Sequence, residues 1–461
     1  MTVFRCACAL LVTPYNRRLF RQLDDAGTRV ARSGLQVPFF KKDSLPGGQQ
    51  GYDHREHVIS WRTSQKPRPF LMFSHQHSLR HLLRPEHYCS EQHFQLELEK
   101  LFRPAWQFVA AKSELPKDGD FLTLDLFGRP ILIRNSDGKF LAYENICSHR
   151  HCLLTDDSCG NQPKLRCQYH GWEYDDEGRT ARIPEAKCFR PWDRDNSRLN
   201  MFRIESCGDL LFVSLSSDVP SLRDWLSPFY AETERAFSAP IWKMTCVWDY
   251  DCESNWKVPA ENTLESYHVT ALHQKFFGDT LPPEKNVQHL LEQRYTGLTF
   301  DATSKLEQLQ ARLNRWLGSE PTFKYLHRHI HPNTMLVSTD TINYALMYMP
   351  TSPTTVRIRM RFFAIRGIRR GPVASLLSWL AWRFAKSKTL QVHNEDRGVY
   401  ASQQKGLERS RHPGVIGSRE ERIYFFQKYI LEALGLPVPP DPANAAAANE
   451  SQTSMAREAA P

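Results

Sequence analysis

The sequence predicts an α+β chain: an all-β segment, then a domain that mixes antiparallel sheet with helices. Two observations predict this. Short alternating strands punctuated by turn signals run from about Asp120 to Ser217, and three longer strand patterns followed by helical ones begin near residue 330. Length agrees, because 461 residues can bury a sizeable core and suggest two or more domains.

In chain order, residues 1–84 show little periodicity and carry 14 Lys/Arg against 5 Asp/Glu. That excess of nine equals the net charge of the whole chain, +9, so the remaining body is neutral, with 46 of each sign. A basic appendage on a neutral body argues against a nucleic-acid-binding core. The segment reads as a poorly ordered extension, an organelle presequence, or a start codon placed too early with Met72 as one alternative. No apolar run reaches the ~18 residues of a membrane helix. FRCACALLV lacks the long apolar stretch and cleavage site of a signal peptide. Eleven cysteines therefore read as reduced thiols, some of them metal ligands, in a cytoplasmic chain.

Order is expected from about residue 83. Phe94, Leu96, Leu98 and Leu101 predict a helix within 85–103, followed by a strand at Trp106–Ala110. Gly128 and Ser136–Gly138 mark hairpins in DFLTLDLFGRPILIRNSDGKFLAYENIC, and the all-β domain spans 104–218. VPSLRDWLSPF is a linker with a short helix. The second domain, 219–436, opens with the strand PIWKMTCVWDYDCES. NTMLVSTD, INYALMYMP and TTVRIRMRFFAI read as sheet strands, the last alternating from Val356 to Phe362. Helices are expected at Ala374–Lys386, Thr389–Lys405 and Arg419–Leu434, and the Pro/Ala-rich tail 437–461 as disordered.

Chemistry concentrates in two places. In CSHRHCLLTDDSCGNQPKLRCQYHGWEYDDEGR, Cys147 and His149 form C-x-H, and Cys167 and His170 form C-x2-H seventeen residues later. Two Cys and two His fit structural zinc, but zinc fingers usually group Cys with Cys and His with His. One thiolate and one imidazole per loop suits a [2Fe–2S] cluster with two cysteines on one iron and two histidines on the other. The second place is ESYHVTALH. On an ideal helix Glu265 and His268 share a face, while His273 is turned away by roughly 140°. A lone histidine pair is more often structural than catalytic.

With GWEYDDEGR after the last ligand, the first motif resembles the Rieske domain of Rieske non-heme iron oxygenases. One departure is His151, where that family often has Gly. Cys152 and Cys159 receive no role. NWKVPAENTLESYHVTALH resembles the same family's catalytic helix, and HNEDRGVYASQQKG its downstream acid motif, with Ala401 where Glu is common. The resemblance, over about 85–435, implies a helix-grip catalytic domain and a mononuclear Fe(II) on His268, His273 and Asp396, with Glu395 as runner-up for the acid. A helix irregularity between His268 and His273 would bring both rings to one metal. Glu265 is implied as a bridge from an iron ligand to a cluster histidine of a neighbouring subunit, its alternative being a plain helix acid. Asn262 and Tyr267 match the motif as further site candidates.

The implied function is that of a terminal oxygenase α subunit, whose roles include aromatic hydrocarbon catabolism. NAD(P)H would act through a flavin or iron–sulfur reductase, with or without a ferredoxin, since the chain has no nucleotide-binding glycine fingerprint. O2 and a small organic substrate would meet at the iron of a homotrimer. Glu265 in place of Asp favours quaternary-ammonium substrates over ring cis-dihydroxylation. A Rieske electron carrier without oxygenase activity and a structural zinc protein are the alternatives of other classes. Aromatic residues between 274 and 395 fit either a cage for an ammonium or plain core.

Overall fold

The computed structural model describes residues 79–193, 197–277 and 286–439. Most of the N-terminal extension and of the C-terminal tail therefore lies outside the described residues. Residues 79–84 do not behave as extension. Strand β1 (Leu79–Arg80) pairs with Val415–Ile416, and the backbone N–H groups of buried Leu82 and Leu83 donate to Gln427 Oε1 at 2.8 and 3.4 Å. Apolar Leu79, Leu82 and Leu83 supply the burial that ties this piece down.

Helix α1 (Glu91–Glu97) starts at Ser90, whose Oγ accepts from His93 N, and runs on into a π-helical turn over Leu98–Phe102. Its last residue is buried and specific: the Glu97 carboxylate accepts from Trp256 Nε1 (2.7 Å) and Lys257 Nζ (2.6 Å). Both charges are buried, at 1% and 0% exposure, so each is tolerable only because the other is present.

The β-rich region follows: β2 (Trp106–Ala111), β3 (Asp120–Leu126), β4 (Arg129–Ser136), β5 (Lys139–Glu144), β6 (Cys159–Asn161), β7 (Leu165–Arg166), β8 (Glu173–Tyr174), β9 (Thr180–Arg182), β10 (Met201–Cys207) and β11 (Leu210–Ser214). They form a seven-stranded sheet, β2-β11-β10-β5-β4-β3-β6, and a three-stranded one, β7-β8-β9. The β4–β5 hairpin turns at Asp137 and Gly138 with φ of 48° and 83°, the left-handed pair a two-residue hairpin demands.

Beyond short helices α2 (Leu222–Leu226) and α3 (Tyr230–Ala236) come β12 (Trp242–Cys252), α4 (Lys257–Leu264), α5 (Val269–Leu272), α6 (Gln274–Phe277), β13 (Val287–Leu291), β14 (Tyr295–Asp301), α7 (Lys305–Leu317), β15 (Lys324–Ile330), β16 (Thr334–Ser338), β17 (Ile342–Ser352), β18 (Thr355–Ile365), α8 (Pro372–Leu407), β19 (Val415–Ile416) and α9 (Glu421–Leu434). The second seven-stranded sheet is antiparallel throughout, in the order β12-β18-β17-β16-β15-β14-β13. Directly paired residues share a face, so Cys246, Phe362, Tyr344, Val337, His327 and Leu298 form one rung across six strands. Helices α8 and α9 grip this face. His393 of α8 meets the Tyr344 ring at 5.7 Å, and Arg422 of α9 bonds His327.

The opposite face meets the β-rich region. There Arg361 is buried between Glu114 (2.7 Å) and Asp249 (2.6 Å), and Asn333 donates to Gln107 at 2.8 Å. Strand β18 is accordingly buried on both faces from Ile358 to Ile365, although its sequence alternates. A second difference lies in α8. The two helices expected around Lys386–Thr389 are one 36-residue helix, about 54 Å long. No Gly or Pro interrupts Ser387–Lys388, and nothing else there ends it. Its first half exposes Val373, Leu376, Trp379, Leu380 and Phe384, each about half accessible.

Candidate metal centres

The Cys/His motif folds into two loops with one backbone plan. In the first, Cys147 N donates to Cys152 O (2.8 Å) and His151 N to Cys147 O (3.0 Å). In the second, Cys167 N donates to Trp172 O (2.9 Å) and Gly171 N to Cys167 O (3.1 Å). His151 and Gly171 are equivalent, both left-handed at φ 59° and 70°. The residue that departs from the family habit thus occupies the position where a glycine costs least. Gln168 N donates to Leu154 O at 3.0 Å and holds the loops together.

The loops sort their ligand atoms. The two thiols are buried, 2% exposed each, and in contact with each other. The two imidazoles lie outward of them with ring centroids 4.7 Å apart. Trp172 stacks flat on His149 at 4.7 Å, and Tyr174 Oη lies 3.0 Å from Cys147 Sγ and accepts from Ser148 N. His149 Nδ1 is buried with no hydrogen-bond partner. Burial pushes the Cys147 thiol up, against the Tyr174 contact, and burial with His170 and Arg150 pushes His149 down. A metal would relieve both, since it takes thiolate and neutral imidazole. A sulfur side and a nitrogen side fit a two-iron cluster with one iron at each better than four ligands about one zinc. Trp172 and Tyr174 were legible as parts of HGWEY, but not as ring support and sulfur partner. Cys152, given no role above, has its thiol against that of Cys167.

The second centre is built on a broken helix. Helix α4 ends at Leu264, and Glu265 is extended at φ −127°, ψ 172°. The chain re-enters helix at His268 for the single turn α5 and leaves it at His273 (φ −111°, ψ 26°). The irregularity expected between the histidines therefore lies on either side of them. Glu265 makes the restart possible: Oε2 accepts from the backbone N–H of Tyr267 and of His268, and Oε1 accepts from His268 Nδ1. Helix α8 brings the third group. Asp396 Oδ1 lies 2.9 Å from His273 Nε2 and 3.5 Å from His268 Nε2. One ligand atom from each of His268, His273 and Asp396 falls within 4.8 Å of the others.

Glu395, weighed above as an alternative ligand, faces the other side of the ring and accepts from His273 Nδ1 at 2.8 Å. Each histidine thus has a carboxylate on Nδ1, which fixes the proton there and leaves Nε2 toward the common point. Burial works against a charged His273, but Asp396 and Glu395 outweigh it and raise its pKa. Burial likewise opposes ionised Asp396, and His273, His393 and His268 outweigh that and lower it. The donor set fits a 2-His-1-carboxylate iron with open positions. Around it Asn262 Nδ2 reaches Tyr400 Oη at 3.4 Å, and Tyr348 Oη meets Thr263 Oγ1 at 2.5 Å. Tyr267 contributes only its backbone N–H, its side chain being 64% exposed. Sequence reasoning missed Tyr348, on β17, and also His393 and Tyr400, which share the buried face of α8 with Asp396 at i, i+3, i+7 spacing, a signal that could have found them.

Both regions match known protein families. Residues 105–202 match the Rieske [2Fe-2S] domain, and residues 242–436 match the ring hydroxylating alpha subunit catalytic domain. The chain is 34% identical over 187 residues to the anthranilate 1,2-dioxygenase large subunit of Burkholderia cepacia, covering 38% of this chain and 44% of that protein. It is 29% identical over 189 residues to the glycine betaine monooxygenase oxygenase subunit of Pseudomonas aeruginosa, covering 40% and 43%. The matched part thus spans less than half the length of these relatives. Among solved structures, the quaternary ammonium Rieske monooxygenase CntA with L-carnitine superposes at TM-score 0.61 with 21% identity, over 77% of this chain and 96% of that one. Naphthalene 1,2-dioxygenase with indole bound gives 0.60 and 18%, over 77% and 95%. Among the described residues no helix is long and apolar enough to cross a membrane. With a Rieske domain leading into a ring-hydroxylating catalytic domain, the chain belongs to the Rieske non-heme iron oxygenases, among their α subunits.

Proposed function

We propose that this chain is the oxygenase component of a multi-protein system that inserts oxygen from O2 into a small organic substrate. Electrons from NAD(P)H reach it through a flavin or iron–sulfur reductase, with or without a ferredoxin. The observation that carries this reading is the convergence of His268, His273 and Asp396 on one point, in a chain that also holds the Cys147/His149/Cys167/His170 cradle. When filled, the cradle supplies single electrons and the iron activates O2. The protein's own part is positional. Glu265 and Glu395 hold the two Nδ1 protons, and α8 presents Asp396. Trp248 and Tyr344 both pack against His393 on the gripped face and fix its ring beside Asp396.

Glu265 also suits a bridge to a cluster histidine of a neighbouring subunit. A carboxylate accepts about four hydrogen bonds, and three are made within the chain. The half-exposed apolar stripe on α8 is compatible with a trimer in the cytoplasm. We favour hydroxylation, demethylation or C–N cleavage of a quaternary-ammonium-like compound, supported by likeness to the glycine betaine enzyme. The second reading, cis-dihydroxylation of an aromatic ring, is supported by likeness to the anthranilate enzyme. Product analysis with labelled O2 separates one inserted atom from two.

The test is metal analysis joined to coupled oxygen uptake. About three irons per chain, with reductase-dependent uptake and product, is the expected result. About two irons after anaerobic Fe(II) loading, with no coupled uptake, would leave an electron carrier instead.

A further inference from the structure

Among the described residues no carboxylate pairs with the buried cation Arg422. On the gripped face it is 0% exposed. Its Nε donates to Thr296 Oγ1 at 3.2 Å and its Nη2 to His327 Nδ1 at 3.1 Å, while Nη1 has no hydrogen-bond partner among the described residues. Glu421, its neighbour in sequence, is engaged with His289 (2.7 Å), and Glu232 with Arg328 (3.1 Å). His327 accepts from Arg422 on Nδ1, so its neutral ring carries the proton on Nε2. Burial, then Arg422, push that ring well below its usual pKa. Two residues along the same strand and on the same face, fully buried His329 makes no side-chain hydrogen bond among the described residues and has the Pro332 backbone as a polar neighbour. Burial and Arg328 push the guanidinium down to about 9, so it still carries its charge at neutral pH.

Resting on the oxygenase reading, we propose that Arg422, with His327 and His329, is a subsite for the carboxylate of the substrate. A purely structural Arg422, tying α9 to β14 and β15, accounts for Nε and Nη2 but leaves Nη1 buried and unused. A guanidinium fork with one arm free is the geometry that takes a carboxylate oxygen. The subsite shares the gripped face with the metal ligands. His327 and Tyr344 stand on one rung two strands apart, about 10 Å. Tyr344 packs on His393, three residues before Asp396 on α8. The shared face lets one small molecule reach both the guanidinium and the metal ligands. It makes no choice between a trimethylammonium group and an aromatic ring at the other end.

The test uses the iron-loaded full chain and calorimetric titration with benzoate against benzamide, and with glycine betaine against its amide. At least one carboxylate should bind tenfold or more tightly than its amide. R422Q should abolish that preference and R422K should keep part of it. No tenfold preference in either pair, or a preference that survives R422Q, overturns the subsite. R422M gives a reading that needs no ligand. Its ligand-free Tm should equal or exceed that of the parent chain, whereas a clear fall marks Arg422 as structural and overturns the proposal. Iron content and the reduced-cluster spectrum are recorded on the same samples. A full complement of metal without anion preference removes the subsite alone, while a missing mononuclear iron removes the oxygenase reading beneath it.

Discussion

In the Cys/His cradle the ligands stand on two loops with matching backbone bonds, Cys147–Cys152 and Cys167–Trp172. His268 and His273 instead stand on one helical turn between two breaks, and carboxylates on their far ring nitrogens orient them. The first centre is shaped mainly by main chain and the second mainly by side chain. Main-chain geometry tolerates neighbours of many kinds but few φ values. Side-chain geometry depends on each acid by name, because a histidine turned by its partner carboxylate loses its aim when that partner goes.

Three substitutions would break or sharpen this contrast. The largest effect belongs to Asp396→Ala, which should take the chain from about three irons to about two and reduce coupled oxygen uptake to background. The cluster's visible and EPR spectra should stay unchanged, and a simultaneous loss of cluster would show that the centres are not separately built. Next is Glu265→Gln, which keeps size and removes charge. Both metals should remain, while single-turnover reoxidation of the cluster slows by roughly 10–100-fold, the range for partners of metal ligands. Loss of iron with retention of cluster would instead show that the Glu265 carboxylate acts by holding His268 for the metal and not as a bridge between centres. The smallest effect tests the main-chain side. His151→Gly should relieve a left-handed residue costing about 1–2 kcal/mol, less the ~0.5–1 kcal/mol of added glycine entropy. The net gain of about 0.5 kcal/mol should read as a slightly higher Tm with an unaltered cluster spectrum, and a lower Tm would show that the His151 ring stabilises its loop.

The same contrast explains what the sequence could disclose. Cys147, His149, Cys167 and His170 are legible because loops fix ligands at short, regular spacing. The structure brings His268, His273 and Asp396 together as the resemblance implied. The break before Glu265 was not legible, because NTLESYH contains no Gly or Pro, and what ends α4 is a side chain capping the next turn. The sequence suggests two helices where α8 is continuous, although Ser387–Lys388 contains no residue that ends a helix. Arg422 had no signal at all. Its isolation is a property of which acids pack near it, and a single sequence does not contain that.

The two breaks around α5 have a consequence for handling the protein. A turn of four residues, joined to its neighbours by few backbone bonds, can open while the sheet and long helices stay folded. Iron held by His268 and His273 as proposed would exchange with the lifetime of that opening and not with the unfolding of the domain. A purified sample can be fully folded, coloured by its cluster, and still short of iron. Occupancy becomes a matter of elapsed time and free metal, to be set by the experimenter before any rate is compared.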